Sequence, residues 1–279
     1  MHPPCDGAVV LWRVRGICRR IAMGEVTMDS FQIGVLGSVE AYRVGRAVHL
    51  GGRNEQLVLA TLAVVPNRAV STDSLLEGIW NGAPPRSGLD TLQSLVSRLR
   101  GRLGHDAIEL IDHSYRLVAE PDQVDSIRFE YLLGDAASLL ADDPPTAANL
   151  ATDALALWRG TPFGDLGNAS FLEPDVRRLE ALHQSAVEVR LEADVACGRL
   201  ISAIASLQAE VVKNPYRERL WYLLVLALTR DGCRVDALRA CDKLRAELAA
   251  IGLEPTADIR ELEQMVLDEA PAVRSRLCR

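Results

Sequence analysis

Between Phe31 and Gly52 apolar and polar positions alternate in short runs, with Phe31, Ile33 and Val35 on one face and breaks at Gly37, Gly45 and Gly51–Gly52. A period of two, cut by glycines, predicts three short strands joined by tight turns. The period then lengthens. Arg53 to Asn67 carries its apolar residues on a broad helical face and meets Pro66, which cannot continue a helix. A shorter helix follows in "STDSLLEGIW", with Ser71 or Thr72 as N-cap, Asp73 in the first turn and Leu75, Leu76, Ile79 and Trp80 facing inward. After the breaker cluster Asn81–Gly88, residues Leu92, Val96, Leu99 and Leu103 recur at spacings of four, three and four, on one side of a third helix that runs to Gly104. Ile108 to Val118 alternates on both sides of a turn expected at His113–Ser114, which predicts a closing hairpin.

From Ile127 onward strand signals vanish. Helical periods cover about 126–141, 145–158, 171–197, 200–213, 217–231, 234–250 and 256–268, separated by "DDPP", "RGTPFGDLGN", "CGR", "NPY", "DGC" and "GLEPT". A repeat runs through them: "ACGRLISAIASL" aligns with "RDGCRVDALRAC", so Gly198 and Gly232 are 34 residues apart, as are Ala203 and Ala237. That is the tetratricopeptide period, in which a small residue lets paired helices approach closely. Two helical hairpins of equal length by chance is the plainer reading, and the second copy has about six extra residues before Pro255. Arrays of this kind bind proteins or dimerise along a concave face.

The predicted fold class is therefore mainly α. An N-terminal winged helix-turn-helix (α+β) at 29–118 precedes an all-α tetratricopeptide-like domain at 119–270, between an extension at 1–28 and a tail at 271–279. In a winged helix the third helix enters the major groove of DNA and the hairpin lies along the backbone or minor groove. Charge agrees with that division. The chain has a net charge of −7, but 29–118 holds nine basic and nine acidic residues, whereas 119–270 holds 15 basic and 27 acidic. Nucleic acid would be repelled by the second half, so any contact falls to the first.

Composition narrows the alternatives. The apolar run Ala8–Trp12 is too short to span a bilayer, and Arg13, Arg15, Arg19 and Arg20 follow it instead of preceding it, unlike a secretory signal. A cytoplasmic protein without a membrane partner is expected. The cysteines at 5, 18, 197, 233, 241 and 278 form no CxxC pair and have no histidines at zinc-ligand spacing, so neither metal nor cofactor is expected. His105, Asp106, Asp112 and His113 flank a surface hairpin without ligand spacing on one element, and no nucleophile elbow occurs, so no enzyme is expected.

On a wheel of the third helix the outward positions are Ser87, Asp90, Ser94, Ser97, Arg98 and Gly101, flanked by Thr91, Gln93, Arg100 and Arg102. Arg98 is the leading candidate for a guanine edge or a phosphate, since a guanidinium can bond either bidentately. Thr91, Gln93, Ser94 and Ser97 can donate to bases or phosphates. Plainer roles stay open: a solvated basic face, an intraprotein bridge for Gln93, inert surface serines. Asp90 would repel phosphate unless it accepts from a cytosine amino group or pairs with Arg86.

The segments "VLGSVEAYRVGRAVHLGGRNEQLVLATL", "LLEGIW", "TLQSLVSRLRGRLG", "SYRL" and "FGDLGNASFLEPDVRRLEAL" resemble the Streptomyces antibiotic regulatory protein family over about residues 31–268. The resemblance implies an OmpR-like winged helix joined to a bacterial transcriptional activation domain. It implies binding to direct repeats of double-stranded DNA near promoters, homodimers on DNA, contact with RNA polymerase and its sigma factor, and activation of a secondary-metabolite or other specialised gene cluster. The length implies the small form of the family, and no GxxxxGK phosphate loop occurs. Carried over residue by residue, the family core implies DNA contact for Thr91, Gln93, Ser97, Arg98 and Arg100. With the neighbouring polar positions and the wing, the candidate set is Arg86, Ser87, Thr91, Gln93, Ser94, Ser97, Arg98, Arg100, Arg102, Tyr115 and Arg116.

Departures from the family pattern stand at Asp90, Gly101, Glu55–Gln56–Leu57 and Ser114. The first three remove positive charge and predict weak nonspecific binding. Ser114 replaces a glycine in the expected hairpin turn, at a cost of order 1 kcal/mol if it must take positive φ. A degenerate member acting as a protein-interaction scaffold without specific DNA binding is the alternative.

Overall fold

The computed structural model describes residues 31–268. The expected extension at 1–28 and tail at 271–279 lie outside the described residues. The described residues pack as two compact units: one takes in 31–131 together with Ala154–Leu182, the other Leu132–Asp153 together with 183–268.

In the first unit β1 (Phe31–Gly34), β2 (Glu40–Arg43) and β3 (Arg46–Val48) form an antiparallel sheet in that order. Ile33 lies opposite Ala41 and Ala41 opposite Val48, so the alternation at Phe31 and Ile33 does turn one face to the core. Helices α1 (Arg53–Val64), α2 (Thr72–Trp80) and α3 (Gly88–Leu103) follow. Ser71 caps α2, its hydroxyl accepting from the Ser74 amide at 3.1 Å. Leu75 and Ile79 are buried, whereas Leu76 and Trp80 are only partly so. From α3, Leu92, Val96, Leu99 and Leu103 are buried as their spacing predicts, together with Leu95, and the helix packs against α1 and α2.

The wing consists of β5 (Ile108–Ile111) and β6 (Ser114–Leu117). A two-residue strand that local pattern cannot reveal, β4 (Val70–Ser71), pairs with β6 to complete a sheet of order β4-β6-β5. The turn falls one residue earlier than expected. Ile111 pairs with Ser114, so Asp112 and His113 make the turn and Ser114 is a strand residue. Positive φ is taken by Asp112 (+52°), a residue type that tolerates the left-handed region, and the cost anticipated at Ser114 does not arise.

Residues 154–182 belong to this first unit because of a loop expected to be a plain helix connection. Helix α5 (Pro144–Leu155) stops short of the expected 158, releasing Trp158 and Arg159. The Arg159 amide donates to Leu36 O at 2.7 Å and the Phe163 amide to Val35 O at 2.8 Å. At the start of α4 (Asp125–Leu139), the buried Asp125 carboxylate accepts from the Val35 amide at 2.7 Å and the Leu36 amide at 3.1 Å, and pairs with Arg159 at 2.8 Å. Arg159 also pairs with Glu40. Gly34 keeps the passage open: a Cβ there would lie 2.2 Å from the Arg159 guanidinium. Phe129 meets Trp158 edge to face, with centroids 5.4 Å apart.

The second unit is helical, built from the later turns of α4, from α5 and from the part of α6 (Glu173–Ala196) beyond Leu182, followed by α7 (Leu200–Lys213), α8 (Glu218–Arg230), α9 (Arg234–Ala249) and α10 (Ala257–Leu267). Helix α8 is buried on almost every side, as its unbroken apolar run requires, and packs against α7, α9 and α10. The 34-residue repeat is structural. Gly198 (φ +74°) and Gly232 (φ +82°) end α6 and α8 in the same way: Arg199 N–H bonds to Asp194 O and Cys233 N–H to Leu228 O, both at 2.9 Å. Ala203 and Ala237 are fully buried one turn into the next helices. A Cβ at either glycine meets nothing within 4 Å, so only backbone conformation opposes a side chain. Gly198→Ala and Gly232→Ala are each expected to cost about 1 kcal/mol and to behave alike. Urea unfolding of the two variants checks this, and unequal losses would contradict equivalence of the two turns.

Among the described residues, no helix is long and apolar enough to cross a membrane, and no group of three or more His, Cys, Asp or Glu side chains is placed to hold a metal.

Candidate nucleic-acid interface

Helix α3 has a buried face, two flanks and an outer face, and its polar residues divide among them. Gln93, Ser94, Ser97 and Gly101 are exposed, as is Asp90 in the first turn. Thr91 and Ser94 use their hydroxyl protons within the helix, on Ser87 O at 2.8 Å and Asp90 O at 2.9 Å, which leaves their oxygens as acceptors. Ser87 stands at the N-cap position without a side-chain cap bond. Arg86 is exposed, and among the described residues it forms no ion pair with Asp90. It precedes the helix by two residues, so helical i,i+4 geometry does not apply to it.

Arg100 and Arg102 lie on the flanks and Arg98 on the exposed face, and each is held. Arg98 Nε pairs with Glu55 Oε1 of α1 at 3.1 Å while its side chain stays 52% exposed. Arg100 Nε donates to Ile108 O of the wing at 2.7 Å, and Arg102 Nη1 to Leu50 O at 2.5 Å. The exposed face of α3 thus carries hydroxyls, one carboxylate, a glycine and the paired Arg98, with Arg100 and Arg102 at its edges.

On the wing, Arg116 pairs across the hairpin with Glu109. Tyr115 is only 4% exposed, because it shares the inward face of β6 with Leu117. Tyr115, expected among the DNA contacts, is turned inward, and Glu55, expected only as a departure from the family pattern, sits against Arg98. The spacing Gly52–Glu55 is a usable sign: Glu55, the third helical residue, accepts from the Gly52 amide at 3.2 Å through Oε2, the half of a capping box that a glycine N-cap allows, and this fixes the carboxylate beneath α3.

Against this geometry, comparison with known proteins decides the family. Residues 124–267 match the bacterial transcriptional activator domain. Transcriptional regulator RedD of Streptomyces coelicolor is 30% identical over 97% of this chain and 76% of its own length. The chain belongs to the Streptomyces antibiotic regulatory protein family. Regulatory protein DnrI of Streptomyces peucetius, another relative of this family member, is 28% identical over 87% of the chain and 94% of its own length. Transcriptional regulatory protein EmbR of Mycobacterium tuberculosis is 31% identical over 89% of the chain, which spans 66% of EmbR's length. The structure of EmbR in complex with a low-affinity phosphopeptide superimposes with a TM-score of 0.82 at 29% identity, covering 89% of this chain and 68% of that one. That match agrees with a winged N-terminal part followed by a helical part. The family is one of transcriptional regulators, not enzymes.

Proposed function

We propose that this family member is a sequence-specific DNA-binding transcriptional activator, with 29–118 as the DNA-binding part and 119–270 as the activating part. The observation that carries the reading is α3 itself: an exposed helix face of hydrogen-bonding side chains, edged by arginines already anchored on α1 and the wing. Such a face fits the major groove, with Gln93, Ser97 and Arg98 toward base edges. Arg86, Ser87, Thr91, Ser94, Arg100, Arg102 and Arg116 lie toward phosphates or fix the helix's approach. The buried Tyr115 supports the wing from beneath.

Binding as a head-to-tail homodimer to direct repeats, with copies about 10–10.5 base pairs or a multiple apart, would present both α3 helices to one side of the duplex. The helical array would then contact RNA polymerase and its sigma factor. The target is a specialised gene cluster, in line with the secondary-metabolite regulators of the family. In reconstituted transcription, the protein is expected to raise initiation only from a promoter carrying the repeat. Equal transcription with the repeat scrambled would contradict the reading.

The scaffold reading keeps one specific observation in its favour: the exposed face of α3 holds Asp90, and the charge of Arg98, the exposed arginine of that face, is already paired with Glu55. Gly101 provides the test. A Cβ at 101 meets nothing within 4 Å, so Gly101→Arg adds a guanidinium without a clash. It is expected to favour the helix by about 1 kcal/mol and to steepen the salt dependence of generic duplex binding by about one unit of log–log slope. An unchanged slope would place α3 away from the phosphates and favour the scaffold.

A further inference from the structure

We infer that Glu55 is a positioning residue that sets how selectively Arg98 reads DNA; the inference rests on the DNA-binding reading above. Glu55 is nearly buried, with 12% of its side chain exposed, and is held from two sides: Oε2 accepts from the Gly52 amide at 3.2 Å and Oε1 takes Arg98 Nε at 3.1 Å. A carboxylate so fixed cannot follow a moving guanidinium. It therefore holds Arg98 by its inner edge.

Two consequences follow from the chemistry of that grip. With Nε drawn to Glu55 in an ion pair, the terminal nitrogens at the far end of the guanidinium provide the end-on fork that matches the O6 and N7 acceptors of guanine. The negative charge beside Arg98 also cancels much of its attraction for any phosphate, an attraction that acts irrespective of sequence. Glu55 thus lowers nonspecific affinity while it favours a base contact. The same exposed face of α3 carries Asp90, which also opposes sequence-independent binding.

The test uses the full chain and two duplexes, one recovered by selection from a random pool and one of the same composition scrambled. Binding is followed by fluorescence anisotropy over a salt series. Glu55→Gln keeps the shape and an acceptor for the Gly52 amide but removes the charge. It is expected to bind the scrambled duplex more tightly, with a slope steeper by about one, and to lose roughly five- to a hundred-fold of its discrimination at one base pair of the selected site. A residue that merely supports α1 would weaken both duplexes by the same factor, and that result, or no change in either, overturns the inference.

Arg98→Lys keeps the charge without the fork and provides a second variant should Glu55→Gln unfold. It is expected to hold the scrambled duplex while losing discrimination, and undiminished discrimination overturns the inference. Failure of the parent protein to prefer any duplex overturns the DNA-binding reading and the inference with it. A parent that discriminates alongside an unaltered Glu55→Gln overturns the inference alone.

Discussion

Replacing Asp125 by alanine is expected to lower stability by about 3 kcal/mol, the largest effect of any single substitution considered for this chain. The carboxylate is buried and serves three donors, the amides of Val35 and Leu36 and the guanidinium of Arg159. Truncation leaves two buried N–H groups without an acceptor, each costing about 1–3 kcal/mol. The total stays near the lower bound for breaking a buried pair because Arg159 is 28% exposed and keeps Glu40, so its charge is not stranded. Burial holds the Asp125 carboxyl above the usual carboxylate range, against the opposing pull of the Val35 amide and Arg159. With a folded value above the unfolded one of ~3.9, the group's contribution is fully present below that unfolded value and is lost as pH rises through the folded value. The gap between parent and Asp125→Ala should accordingly narrow as pH rises. Urea unfolding at several pH values checks both statements. A loss below about 1 kcal/mol would mean that the loop at 159–163 holds the first sheet without Asp125.

The second large effect is expected at Arg98. Arg98→Ala should weaken binding to a selected duplex by about 1–3 kcal/mol and generic duplex by less, since Glu55 already offsets the charge being removed. The uncovered Glu55 carboxylate would then repel DNA, which adds to the loss. The core beneath is untouched: Leu95 and Leu99 bury α3 independently of Arg98, so the melting temperature should shift little. Competition binding against selected and scrambled duplexes measures the split. Equal losses on both would make Arg98 a phosphate contact, and no loss on either would remove it from the interface.

Most elements of the first unit were legible because their signals are local. The strand alternation at Phe31 and Ile33, the Ser71 cap and the spacing of Leu92, Val96, Leu99 and Leu103 each involve residues within a turn or a tight pair of strands. The equivalence of Gly198 and Gly232 was legible for the same reason, since a helix that ends in left-handed geometry wants glycine at one fixed place. What escaped lies in pairings far apart in sequence. Asp125 reaches back to Val35, and Arg159 to Leu36 and Glu40, and no periodicity encodes either contact. The strand Val70–Ser71 exists only because β6 passes beside it. For the candidate interface, the wheel separates the buried from the exposed residues of α3 but says nothing of what Arg98, Arg100 and Arg102 touch. Arg98, Arg100 and Arg102 lie on α3, and their partners on α1, the wing and the loop before α1. Tyr115 is buried, as its alternation with Leu117 on β6 already indicates.

DNA recognition by α3 is tested most directly by selecting bound duplexes from a random pool with the purified full-length protein. Recovery of a direct repeat whose copies are about one helical turn or a multiple apart is expected. Recovery of no preferred sequence by a protein that is folded and melts cooperatively would contradict it.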